Sequence, residues 1–118
     1  MLMKFVKKTG AVLVGIHEIA VDAENAGIQA EGMNIGRTIN IEGIIVNMVN
    51  AEHSSLNGHA PGVAIEIEGV TIYHPGDTGL FGDMRIIGEF FDIDLALLPI
   101  GDRYTTGIKS AAKAVEYL

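Results

Sequence analysis

Four histidines, His17, His53, His59 and His74, and 15 carboxylates are the side chains through which this 118-residue chain could bind a metal ion, because it contains no cysteine. Two stretches concentrate them. The first is residues 73–83, YHPGDTGLFGD, where a strand delivers His74 and Asp77 into a loop with three glycines and a helix follows. A carboxylate at a strand end suits a metal: the strand fixes the ligand and the loop lets substrate approach. An ordinary left-handed turn, with Asp77 accepting its own loop amides, accounts for the same residues. The second stretch is residues 50–62, NAEHSSLNGHAPG, again directly after a strand. There His53 could ligate zinc through one ring nitrogen while a partner orients the other N–H. A hydrogen-bonded loop histidine is the plain alternative. Ser54 and Ser55 lie beside it without a G-x-S-x-G elbow, which excludes a serine hydrolase of that kind.

The remaining candidates carry less chemistry. His17 opens a helix, where a packing or capping role suffices. His59 is a substitute ligand only if its loop is fixed. The methionines are scattered and read as core filler. Phe90 and Phe91 read as a helix-to-sheet contact.

The elements that must position these residues follow from patterning. Leu2, Phe5 and Val6 share a helical face, and Lys4, Lys7 and Lys8 precede Gly10, which marks a helix end. No capping residue stands ahead of it, so it reads as the second half of a helix. Residues 11–16 form an apolar run expected of a strand covered on both faces. Residues 17–26 place Ile19, Ala20, Ala23 and Ala26 on one helical side. Thr38–Ile41 and residues 44–50 flank Glu42-Gly43, and Gly62–Ile67 and Val70–His74 flank Glu68-Gly69, which predicts two hairpins. The echo between NIEGIIV and EIEGVTI is shared turn chemistry, since flanking residues do not match. In the second hairpin Val63, Ile65 and Ile67 alternate with Ala64, Glu66 and Glu68, so one face is expected to be core and the other wet or covered by a partner. Residues 83–91 carry Met84, Ile87 and Phe91 at helical spacing, with Asp83 at the N-terminus. Residues 94–99 read as another buried strand. Residues 108–118 repeat apolar side chains at Ile108, Ala111, Ala112, Val115 and Leu118. Both ends look cut through α/β units, and residues 1–118 are expected to form a single domain.

Composition narrows the function classes. Hydrophobic residues are 48% and charged residues 19%, with mean hydropathy +0.33, which excludes disorder. A net charge of −7 with a pI near 4.9 argues against a nucleic-acid partner, which needs clustered cations. No apolar run approaches a membrane span and no signal-peptide order opens the chain, so the cytoplasm is the expected compartment.

Taken in order, residues 32–36 (GMNIG), His53-Ser54-Ser55, 62–68, 73–84 and 94–101 (DLALLPIG) resemble the metal-dependent hydrolases of the metallo-β-lactamase superfamily, in the branch similar to ascorbate-6-phosphate lactonase. The resemblance implies an α/β fold, part of an αββα sandwich in which a mixed sheet is covered by helices. It implies metal-ligand roles for His53 and Asp77, and supporting or substrate-facing roles for His74, Thr78 and Ser54. Pro75 stands where the family commonly has a small residue. The family's opening His-x-His-x-Asp-His has no counterpart, since no two of the four histidines are two apart. Its closing ligand histidine would fall after Leu118. Asp102, Arg103 and Tyr104 follow a strand end where the family lines its cleft, and by themselves read as a solvated loop. The implied cofactor is a divalent metal of the zinc type, and the implied chemistry is hydrolysis of an ester, lactone or phosphoester of a small molecule. This chain alone is expected to bind metal weakly or not at all and to be inactive. The alternative is a non-catalytic homologue acting as an oligomer. Apolar surface left by an incomplete sandwich makes a homo-oligomer, most simply a dimer, the expected state.

Overall fold

The computed structural model describes residues 1–56 and 58–118. They group into two compact units, Met1–Asn34 and Ile35–Leu118. No helix among the described residues is long and apolar enough to cross a membrane.

The first unit runs α1 (Leu2–Thr9), β1 (Leu13–Ile16), α2 (His17–Asn25) and β2 (Ala30–Met33). α1 ends as its sequence predicts: Gly10 adopts φ 72° and returns its N–H to the Val6 carbonyl. β1 and β2 pair in parallel, Leu13 opposite Ala30, with α2 as the crossover. Their small core is Val6, Leu13, Ala23 and Ile28, with Met3, Ile19 and Ala30 packed against it. The expected face of α2 holds at Ala20 and Ala23, which are buried, but Ala26 is exposed because the helix has already ended. β2 was invisible to patterning. Its AEGM sequence has no alternation and is extended by pairing with β1. Glycine at 32 suits that contact, since a Cβ there would lie 3.2 Å from the Ala20 methyl.

The second unit holds β3 (Thr38–Ile41), β4 (Ile44–Val49), β5 (Gly62–Ile67), β6 (Val70–His74), α3 (Met84–Phe90), β7 (Leu95–Ala96) and α4 (Ile108–Val115). The strands form one mixed sheet in that order, antiparallel through β6 and parallel from β6 to β7. Both expected hairpins are present. Glu42 and Gly43 take φ 51° and 91°, and Glu68 and Gly69 take 50° and 80°. Two consecutive left-handed residues match the twist of the flanking strands, and the second glycine removes half the steric cost.

Both sides of the sheet bury side chains, and within β5 the small-residue side is the deeper. Asn47, Ala64, Tyr73 and Ala96 stand in one cross-strand row, and the first three are buried. On this side Val49, Tyr73 and Ile87 of α3 form a cluster joined by Phe81, Phe91, Ile93, Leu98 and Leu118. The alternation of Val63, Ile65 and Ile67 marks the other side, where their β4 neighbours Met48 and Val46 are buried, Val63 and Ile65 are half-buried and Ile67 is 38% exposed. A small residue at 64 is what permits close cover, so the less apolar phase of β5 is the deeper one. Asn47 is tolerated there because it is satisfied: it accepts from Thr38 Oγ1 at 2.6 Å and donates to Glu66 Oε1 at 2.9 Å.

Three further expectations shift. The strand at 94–99 shrinks to Leu95–Ala96, and Leu95 and Leu97 are each about half exposed, because the strand pairs on one side only among the described residues. Asp83 precedes α3 but makes no side-chain cap bond. α4 turns Ala111 and Ala114 inward while Ile108 and Val115 are 75% and 63% exposed. The chain end after α4 passes α3 so closely that a Cβ at Gly88 would sit 2.2 Å from the Tyr117 carbonyl oxygen.

Tyr73 yields a prediction. Its side chain is fully buried, its hydroxyl has no hydrogen-bond partner among the described residues, and burial pushes its pKa up to about 12 from 10.0. A folded-state value above the unfolded one means the stabilising contribution is complete below pH 10 and is lost as pH rises toward about 12. Urea unfolding across this range should show stability falling by up to roughly 3 kcal/mol. Tyr73→Phe should flatten that fall and be at least as stable at neutral pH. A loss above roughly 1 kcal/mol in the variant at pH 7 would mean the hydroxyl is paired.

Candidate metal centre

β4, β6 and β7 run in the same direction, opposite to β5, so the segments that follow them leave the sheet at one end. Those segments hold residues 50–61, 75–83 and 97–107. Thr78 joins all three. Its side chain is fully buried, and its hydroxyl accepts the Glu52 N–H at 3.0 Å and donates to the Gly79 carbonyl at 2.8 Å. The Gly79 N–H returns to the Glu52 carbonyl at 2.9 Å, and the Thr106 N–H donates to the Thr78 carbonyl at 2.7 Å. Thr106 is itself buried and its hydroxyl donates to the Pro99 carbonyl. A second close approach lies beside this joint, where a Cβ at Gly62 would fall 2.8 Å from Pro75 Cα.

The joint puts two chemically active residues in sequence contact with its members. His53 follows Glu52, and Asp77 precedes Thr78; both are exposed, as are Ser54 and His74. Thr78 faces no solvent, so it acts by holding the loops. The Gly76 and Gly79 amides bond His74 and Glu52, so the turn in which Asp77 would accept those amides is not formed. His59 shares with His53, Glu52 and Ser54 a polar hollow of about 600 Å³. His17 is exposed at the first position of α2, in the other unit.

The two histidines of the site are held in opposite tautomers. Nδ1 of His53 lies 2.7 Å from the Ser54 carbonyl oxygen. A carbonyl only accepts, so Nδ1 carries the proton and the neutral ring keeps a lone pair on Nε2. Nδ1 of His74 instead accepts the Gly76 N–H at 3.0 Å, so the neutral ring carries its proton on Nε2. His53 therefore has the form that binds a metal ion, with its orienting bond already made. His74 has the form that donates a hydrogen bond.

His53 and Asp77 fit a metal as individual donors. Among the described residues, however, no group of three or more histidine, aspartate or glutamate side chains gathers where an ion could sit. Zinc centres use at least three protein ligands, more than the described residues gather at one place. Sequence reasoning missed Thr106 as a structural partner, because a threonine ahead of a helix carries no signal of a long-range main-chain bond.

A model of the Beta-lactamase superfamily domain matches residues 6–118. A UPF0173 metal-dependent hydrolase of Methanosarcina barkeri is 48% identical over 121 residues, covering 95% of this chain and 53% of the relative. Another, from Methanocaldococcus jannaschii, is 51% identical over 108 residues, covering 86% and 48%. The structure of a metallo hydrolase from the hyperthermophilic archaeon Ignicoccus hospitalis superposes with a TM-score of 0.91 at 38% identity, covering 98% of this chain and 52% of that one. The chain thus spans about half the length of these relatives.

The tautomers are directly measurable. Long-range proton–nitrogen correlation spectra at a pH where both rings are neutral should show the proton on Nδ1 of His53 and on Nε2 of His74. The same tautomer at both residues would remove the distinction drawn between them.

Proposed function

This chain belongs to the family of the Beta-lactamase superfamily domain, and we propose that it contributes His53 and Asp77 to the metal centre of a metal-dependent hydrolase. The observation that supports this most is the Thr78 joint, which holds the loops of His53 and Asp77 together at one end of the sheet, with the His53 ring set to offer Nε2. Nitrogen and carboxylate oxygen are donors that suit zinc. When bound, such an ion would supply an activated water and polarise the ester, lactone or phosphoester of a small-molecule substrate. Each residue of the chain has its own task in this reading. His53 offers a lone pair, and the Ser54 carbonyl keeps its ring in the right tautomer. Asp77 offers a carboxylate. His74 keeps an N–H available for a substrate oxygen. Thr78 holds the loops. On this reading the remaining ligands come from beyond the described residues, and the chain alone is expected to be inactive. The setting we assign is cytoplasmic.

A second reading, a non-catalytic oligomer, is favoured by a different observation. Ile44, Ile67, Val70 and Leu95 project from the same side of the sheet and are each more than a third exposed. Leaving such side chains in water forfeits roughly 25 cal/mol per Å² of apolar area. A second copy of the chain, in a symmetric dimer, would cover them.

Zinc titration of tag-free protein tests the first reading. Calorimetry should detect no submicromolar site, while millimolar zinc should shift the His53 ring and Asp77 resonances in a way that His53→Ala and Asp77→Asn weaken. Tight stoichiometric binding would overturn the shortage of ligands, and the absence of any shift at these residues would overturn their role. Light scattering during gel filtration tests the second. A dimer is expected, and a monodisperse 12.6 kDa species at tens of micromolar that binds no hydrophobic dye would exclude it.

A further inference from the structure

We propose that Arg103, on the loop following β7, recognises an anionic oxygen group of the substrate, with the Tyr104 ring as its platform. The inference rests on the reading of His53 and Asp77 as the reactive end of the sheet, and it adds the substrate's charge class.

Position comes first. The loop carrying Arg103 is tied to the site by the bond from the Thr106 N–H to the carbonyl of Thr78, the residue after Asp77. It is also closed upon itself. The Gly101 N–H donates to Thr105 Oγ1 at 3.2 Å, and the Asp102 N–H donates to the Thr106 carbonyl at 3.1 Å. Asp102 takes the left-handed φ of 68°, and its carboxylate fills the space beside Gly107, where a Cβ would lie 2.3 Å from Oδ1. Arg103 and Tyr104 are the exposed tip of this small closed loop, and Tyr104 is 74% exposed.

Charge comes second. The chain has 8 lysines and arginines, and Arg103 is the only one in residues 50–62, 75–83 and 97–107. The same segments carry Glu52, Asp77, Asp83 and Asp102. Despite those carboxylates, Arg103 forms no ion pair among the described residues. The contact of its guanidinium is with the face of Tyr104, 5.3 Å from the ring centre. The guanidinium makes no hydrogen bond among the described residues, so its N–H donors are open, and their fork matches the oxygens of a carboxylate or phosphate. A lone cation in an acidic surround gives an incoming anion one place to settle and so fixes its orientation.

Inorganic phosphate, titrated into the metal-free chain at low ionic strength and followed by amide proton–nitrogen spectra, is the test. Saturable shifts are expected at residues 101–106. They should weaken roughly fivefold in Arg103→Gln, be partly kept in Arg103→Lys, and fade as salt rises. Arg37→Gln should bind as the parent does. No saturable shift at 101–106, or equal binding by parent and Arg103→Gln, would overturn the proposal. Because no metal is present, Asp77→Asn should still bind phosphate, and failure of the metal reading leaves this result independent.

Discussion

The end of the sheet that carries His53 and Asp77 depends on the burial of a single threonine. Three segments leaving a sheet at one end bring together peptide groups that lose access to water, and each must find a partner or cost free energy. Thr78 meets that demand three ways, since its hydroxyl both accepts and donates and its carbonyl takes the Thr106 amide. A valine would fill the same volume and leave the Glu52 N–H without its bond. The exposed side chains on either side are then positioned by main-chain bonds rather than by each other. A reactive site can thus be solvent-accessible and still defined in place.

Below this end, the two sides of the sheet divide their work in a way that hydrophobicity alone misjudges. The side with Ala64, Asn47 and Tyr73 is covered tightly because it is small at the centre, and its polar group is paired. The side rich in isoleucine and valine is buried at Val46 and Met48 and stays open along Ile44, Ile67, Val70 and Leu95. Apolar content measures what could be buried. Side-chain size and the approach of a helix decide what is.

That distinction separates what could be read from the sequence from what could not. The two hairpins were legible because Glu-Gly pairs between strands demand left-handed backbone, a purely local requirement met at φ 50–91°. The end of α1 was legible for the same reason, at Gly10. β2 was not, since only its partner strand makes it extended. The inward face of α4 was misjudged because Ala114 mattered more than Ile108, a matter of close approach. At the candidate site, His53 and Asp77 stand out by type and loop position, and the metal roles proposed for them rest on family resemblance. The tautomers and the Thr106 tie depend on carbonyls and amides whose placement no side-chain pattern encodes.

The span of the Thr78 bond has a consequence for the order of folding. The hydroxyl reaches a residue 26 positions earlier, and the Thr106 bond closes a comparable loop forward. Tight turns such as those at Glu42-Gly43 and Glu68-Gly69 close in microseconds with little loss of chain entropy, whereas long loops close only after local structure has shortened the search. The hairpin at Glu68-Gly69 lies inside the first of these spans and shortens it, so the joint is expected to form after that hairpin. Hydrogen exchange at the Glu52, Gly79 and Thr106 amides would then report opening of this end separately from unfolding of the sheet.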